Sequence, residues 1–103
     1  MRVSSYSIVH YGISYLQFAL RSVRPFVDRQ FCFYTPHPSH GHSSTLPLVE
    51  SRDEIISSLP NDLWTDKLTW IDTDSFWQEG QQRDYALKIA SENCDLCLVL
   101  DYD

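Results

Sequence analysis

Asp101-Tyr102-Asp103 follows directly on the apolar run Leu98-Val99-Leu100, so two carboxylates one residue apart stand behind a stretch suited to a buried strand. Acids at the carboxyl end of such a strand point into the crevice where open α/β sheets bind ligands. Their hard oxygen donors suit Mg²⁺ or Mn²⁺ carrying substrate phosphates. Taken alone the triplet is common, and acids at the end of a segment are ordinarily just solvated. A second cluster, His37, His40 and His42, has spacing that zinc tolerates, but no neighbouring Cys or carboxylate completes a tetrahedral set. An exposed Pro-rich loop is the default reading there. Cys94-Asp95-Leu96-Cys97 has redox-pair spacing, yet it enters a strand, whereas such pairs normally open a helix.

The elements that must position these groups alternate along the chain. Tyr6–His10 reads as a first strand closed by Tyr11-Gly12. From Ser14, a candidate N-cap, the residues Leu16, Ala19, Leu20, Val23 and Phe26 follow one helical face, and Pro25 should end that helix near Arg24. Gln30–Tyr34 is a short aromatic second strand, and Pro36–Pro47 is a loop. Leu48–Leu59 is expected to be helical around Val49, Ile55, Ile56 and Leu59, with Ser51 and Glu54 forming a capping box. Lys67–Ile71 supplies a third strand, with Asp72 and Asp74 just past its end. Glu79–Glu92 is the clearest helix, with Tyr85, Ala86, Ile89 and Ala90 on one face and Asn93 as its stop. Leu96–Leu100 is a fourth strand whose continuous apolar run predicts burial on both faces. Strands alternating with helices imply a mainly parallel sheet in a single unit, residues 1–103.

Composition bounds the partners. A net charge of -6 with eight scattered Lys and Arg disfavours nucleic acid and anionic membranes, which need clustered cations. No run approaches the ~20 apolar residues of a membrane span, and the first residues lack a signal peptide's apolar core. An odd count of three cysteines fits a reducing compartment. A soluble, cytoplasmic segment is expected.

The stretch Trp77 to Leu87, containing Arg83-Asp84-Tyr85-Ala86-Leu87, then Cys94 to Asp103, resembles the nucleotide-sugar half of family 2 glycosyltransferases with the GT-A fold. That family shows an Arg-Asn-x-Ala-Leu helix followed by an apolar strand ending Leu-Asp-x-Asp. Ala19-Leu20-Arg21-Ser22-Val23 is similar to the family's Ala-Leu-x-Ser-Val helix, so the likeness spans nearly all of the chain. It implies a Rossmann-like GT-A three-layer α/β sandwich, of which these residues form the N-terminal half, truncated after the Asp-x-Asp motif. It also implies that Asp101 contacts ribose or metal and that Asp103 binds the Mn²⁺ or Mg²⁺ on the diphosphate. Arg83 would lie beside the nucleotide, Tyr11 would pack on the nucleobase, and Asp72 or Asp74 would face base or ribose. The donor would be a nucleotide sugar, UDP-sugar favoured, and the parent protein, membrane-peripheral in some settings, would act on a glycan or other hydroxyl acceptor.

The chain departs from that pattern in three places. Tyr34-Thr35-Pro36 stands where the family carries a base-binding acid after the second strand, and Arg83-Asp84 replaces Arg-Asn. The family's catalytic base and acceptor site lie after Asp-x-Asp, so no catalytic residue is assigned within these 103 residues. With no following element to cover the fourth strand, the segment alone is expected to be marginally stable or self-associating. Two other readings stay open. One is a non-catalytic nucleotide-sugar-binding or protein-interaction module on the same scaffold. The other is a nucleotidyltransferase, disfavoured because Tyr11-Gly12-Ile13-Ser14 is not a Gly-rich phosphate loop.

Overall fold

The computed structural model describes residues 1–10, 12–35, 50–73 and 79–100. Strands β1 (Val3–Val9), β2 (Arg29–Tyr34), β3 (Leu68–Asp72) and β4 (Leu96–Val99) alternate with helices α1 (Leu16–Val23), α2 (Arg52–Ser58) and α3 (Glu79–Ala90). The strands form one sheet in the order β3-β2-β1-β4, with every pairing parallel. The class is α/β, and this layout is compatible with a Rossmann-like fold.

Two apolar clusters, one on each face, hold the sheet between its helices. On one face Val9, Cys32, Tyr34 and Leu68 pack with Leu16 and Leu20 of α1, Ile55 of α2, Leu59 and Leu63. On the other, Tyr6, Phe31 and Phe33 meet Ala86 and Ala90 of α3. The alternation along β2, Phe31 and Phe33 one way and Cys32 and Tyr34 the other, is the period of a strand buried on both faces. Each large apolar side chain removed from water contributes roughly 1.5–3 kcal/mol. The two alanines leave room for α3 to lie close over the aromatic rings, where Tyr6 and Phe33 meet edge to face at 6.4 Å.

Of the polar groups inside the sheet, Gln30 is tied down locally, whereas the buried Ser4 and Ser5 hydroxyls of β1 have no hydrogen-bond partner among the described residues. Gln30 is fully buried; its Nε2 donates to the Leu20 carbonyl at 2.9 Å, and its Oε1 accepts from Arg24 Nε at 3.2 Å. The same guanidinium donates to the Leu63 carbonyl at 2.7 Å and the Asp62 carbonyl at 3.0 Å, locking the end of α1 to the turn Asn61–Leu63.

Several expected signals are realised. Ser51 caps α2, accepting from Glu54 N–H while Glu54 reaches back to Ser51 N–H. Pro25 ends α1, the chain continuing as a tight 3-10 turn over Arg24–Phe26. Asn93 stops the α3 segment in the left-handed region, φ 59°, which Asn tolerates better than most residues.

Others are corrected. Ser14 is not the cap of α1: that position falls to Tyr15, without a side-chain bond, and the Tyr15 and Leu16 amides donate to the Gly12 carbonyl instead. Phe26 is 73% exposed because the proline turn rotates it off the α1 face. Tyr85 lies at the rim rather than in the core. β4 is not buried on both faces. It pairs with β1 at the sheet edge and leaves Leu96 and Val99 about half exposed, 48% and 51%. Val49 and the His37, His40 and His42 loop lie outside the described residues. Among the described residues no helix is long and apolar enough to cross a membrane.

Candidate functional site

The carboxyl ends of β1, β2 and β3 are stitched into one rim by short backbone bonds. Thr35 N–H donates to the Val9 carbonyl at 2.9 Å, and Thr73 donates to the Tyr34 carbonyl through both its N–H (2.8 Å) and its hydroxyl (2.7 Å). His10 Nδ1 lies 3.0 Å from the Thr35 carbonyl; because a carbonyl only accepts, the proton sits on Nδ1. Strand order reverses between β1 and β4, and that reversal is where open α/β sheets place their ligands. On the far side of it Leu100 is fixed, its N–H donating to the Tyr6 carbonyl and its carbonyl accepting from Ser7 Oγ, both at 2.9 Å.

Asp101 and Asp103 follow Leu100 in the chain and, with Tyr11 and Asp74, lie outside the described residues. Among the described residues no group of three or more His, Cys, Asp or Glu side chains is arranged to hold a metal ion.

Asp72 and Arg83 are described, and they stand on different helices' sides of the sheet. Asp72 is the last residue of β3, and its carboxylate is gripped by Arg52 at the start of α2 through two bonds, 2.7 and 2.9 Å. Trp70 Nε1–H adds a third at 2.9 Å. Chiefly through the Arg52 bonds, the carboxyl group is held below its ordinary titration range. Tyr34, buried and near this carboxylate, has its phenol pushed up. Arg83 is an exposed residue of α3, which covers the opposite face.

On the α3 face, beside the helix's first turns, a small cleft, partly open to solvent and with room for about one water, is lined by Ile8, Phe33, Thr35, Thr73, Gln82 and Tyr85. Phe33 and Tyr85 meet edge to face at 5.9 Å and form its aromatic wall. Gln82, next to Arg83 in the chain, is only 3% exposed.

A different acid occupies the turn after β1. Glu50 Oε1 accepts from the Gly12 and Ile13 amides at 2.6 and 2.9 Å, so that turn presents its donors to an internal carboxylate. Neither Glu50 nor Gln82 was signalled by spacing. Glu50 follows a Pro-rich loop and reaches a residue 38 positions away, and only the neighbouring Arg83 could have drawn attention to Gln82.

The cysteines are free thiols. Burial pushes Cys32 up to about 12, which leaves it an inert core thiol at neutral pH. Burial also raises Cys97, and Cys94 Sγ–H is directed at the Ala90 carbonyl at 3.4 Å.

Compared with protein-family models, with curated proteins and with solved structures, the chain matches none of them.

Proposed function

We propose that this chain is the nucleotide-sugar-binding half of a GT-A glycosyltransferase of the family 2 type, whose parent transfers a sugar to an acceptor hydroxyl with inversion. The observation that carries this reading is the reversal of strand order between β1 and β4, with Leu100 anchored beside Ser7 and the acids Asp101 and Asp103 next in the chain. Two carboxylates following β4 are hard oxygen donors of the kind that would suit a divalent cation. When bound, Mn²⁺ or Mg²⁺ neutralises charge on the departing diphosphate. Asp103 would hold the ion, Asp101 would contact ribose or ion, and Arg83 would approach the nucleotide from α3. Tyr11 would pack on the base, and Asp72, bridged to Arg52, would stand on the ribose side. In the reaction the acceptor oxygen forms the new bond to the anomeric carbon, the bond to the diphosphate oxygen breaks, and a carboxylate base outside these residues takes the hydroxyl proton.

A non-catalytic nucleotide-sugar-binding module on the same scaffold is the second reading. It is favoured by the end of β2, where Tyr34 is buried against Trp70 at 6.0 Å and Thr35 follows in place of an acid. Equilibrium dialysis of UDP with and without Mn²⁺ tests the first reading. Retention that requires the metal and is lost in Asp103→Ala supports it, whereas retention indifferent to both contradicts it. A UDP-sugar that is retained but neither transferred nor hydrolysed by the full-length parent supports the second.

A further inference from the structure

Cys94 and Cys97 form a motif that the proposed function leaves unused, and the fold supplies what their spacing alone lacks. In an unbroken strand, residues three apart point to opposite faces and are too far separated for a disulfide. Here the chain bends at Asp95, between the two cysteines, before β4 begins. The bend is pinned to the start of β1. The Asp95 and Leu96 amides both donate to the Arg2 carbonyl, at 2.8 and 3.2 Å, and the Asp95 carboxylate accepts from the Arg2 N–H at 2.7 Å.

Both sulfurs therefore fall at the end of α3. Cys94 Sγ–H is directed at the carbonyl of Ala90, the last residue of that helix, and Cys97 packs against the cluster to which Ala90 belongs. Burial first, and the nearness of Cys94 second, raise the Cys97 thiol, so the two sulfurs lie within electrostatic reach of each other. Each is half-buried and accessible to a small reagent. The remaining thiol, Cys32, is fully buried on the opposite face of the sheet and cannot compete. Level with Cys97 on β1 stands Ser4, whose buried hydroxyl, without a partner among the described residues, is a donor within the same wall for a thiolate.

We propose that Cys94 and Cys97 are a reversible dithiol–disulfide site at the corner between α3 and β4, oxidised by low-molecular-weight disulfides such as glutathione disulfide. Cys94, at the turn, reacts first: its thiolate attacks one sulfur of glutathione disulfide and expels a glutathione thiolate. Cys97 Sγ then attacks Cys94 Sγ, loses its proton to solvent and releases the second glutathione. Two protein thiols are oxidised and one external disulfide is reduced. The second step is intramolecular, so the mixed disulfide does not persist. The new bond draws Cys94 off the Ala90 carbonyl and ties the turn after α3 to β4. This site is independent of nucleotide or metal binding.

The test is intact-mass and peptide-mass analysis of the folded chain during incubation with glutathione disulfide, followed by dithiothreitol. Wild type is expected to lose two hydrogen atoms, to join Cys94 to Cys97, to accumulate no glutathione adduct and to return to its starting mass on reduction. Cys97→Ser should stop at a stable glutathione adduct on Cys94. Cys94→Ser should react at least about tenfold more slowly, because only the more protonated thiol within the strand is left. Persistent adducts on wild type, a disulfide that engages Cys32, or equal rates in the two variants overturns the proposal. The wild-type masses decide it even where a variant folds poorly.

Discussion

Asp72 illustrates how a carboxylate with the right address acquires a local partner. Its position at the end of β3 follows from the apolar residues before it, and that much is readable from the sequence. The fork from Arg52 is not, because the two are 20 residues apart and meet only once α2 docks. The pairing has a signed consequence for stability. With its folded-state titration lowered by Arg52, Asp72 stabilises the fold fully above its unfolded pKa, and this contribution disappears as pH falls through the folded value, in the window below about pH 4. Both partners are well exposed, so the effect is small. Urea midpoints measured from pH 5 to pH 2 should fall more steeply for wild type than for Asp72→Asn, which keeps an acceptor for Trp70. Parallel curves would show that the bridge contributes nothing.

Among the elements, those written in local chemistry match their expectations best. Ser51 and Glu54 announce the start of α2, and the reciprocal bonds between them are present. Ser51→Ala should lower stability by about 1 kcal/mol, read as a shifted denaturation midpoint with an unchanged slope; an unshifted midpoint would mean that α2 is held by Ile55 and Leu59 alone. Pro25 and Asn93 likewise mark real ends. The departures have local as well as tertiary causes. Ser14 loses the cap because the chain turns through Gly12, Phe26 loses its place on the face because Pro25 tightens the turn, and Tyr85 is drawn to the rim by Phe33. The first two causes lie within one helical turn of the residue they displace, and only the Tyr85 contact joins residues far apart in sequence.

The sheet as a body explains why β4 departs from the burial its sequence predicts. An apolar run such as Leu96–Leu100 looks the same in a central strand as at an edge, and only the order β3-β2-β1-β4 shows which it is. Its outer side has no strand beyond it among the described residues, and half-exposed Leu96 and Val99 flank it. A polypeptide of these 103 residues is therefore predicted to self-associate through β4. Its sedimentation mass should rise with concentration and fall back toward the monomer in Val99→Lys; a concentration-independent monomer would contradict this.

The same topology underlies the central claim, that the acids after β4 and the crevice at the sheet's carboxyl edge hold a divalent ion and a nucleoside diphosphate together. The fold class could be read from alternating apolar runs, whereas the strand order that sets the reversal beside β1, the burial of Gln82 and the Glu50 contact required the packed structure. If ion and diphosphate share one site, each must tighten the other by the same factor. The decisive measurement is a Mn²⁺ titration of the chain, with and without saturating UDP, in wild type and in Asp103→Asn. The account predicts at least about tenfold tighter Mn²⁺ binding to the protein with UDP present, beyond the metal's affinity for free UDP, and no such gain in the variant. Mn²⁺ affinity unchanged by UDP, or an equal gain in wild type and Asp103→Asn, would contradict it.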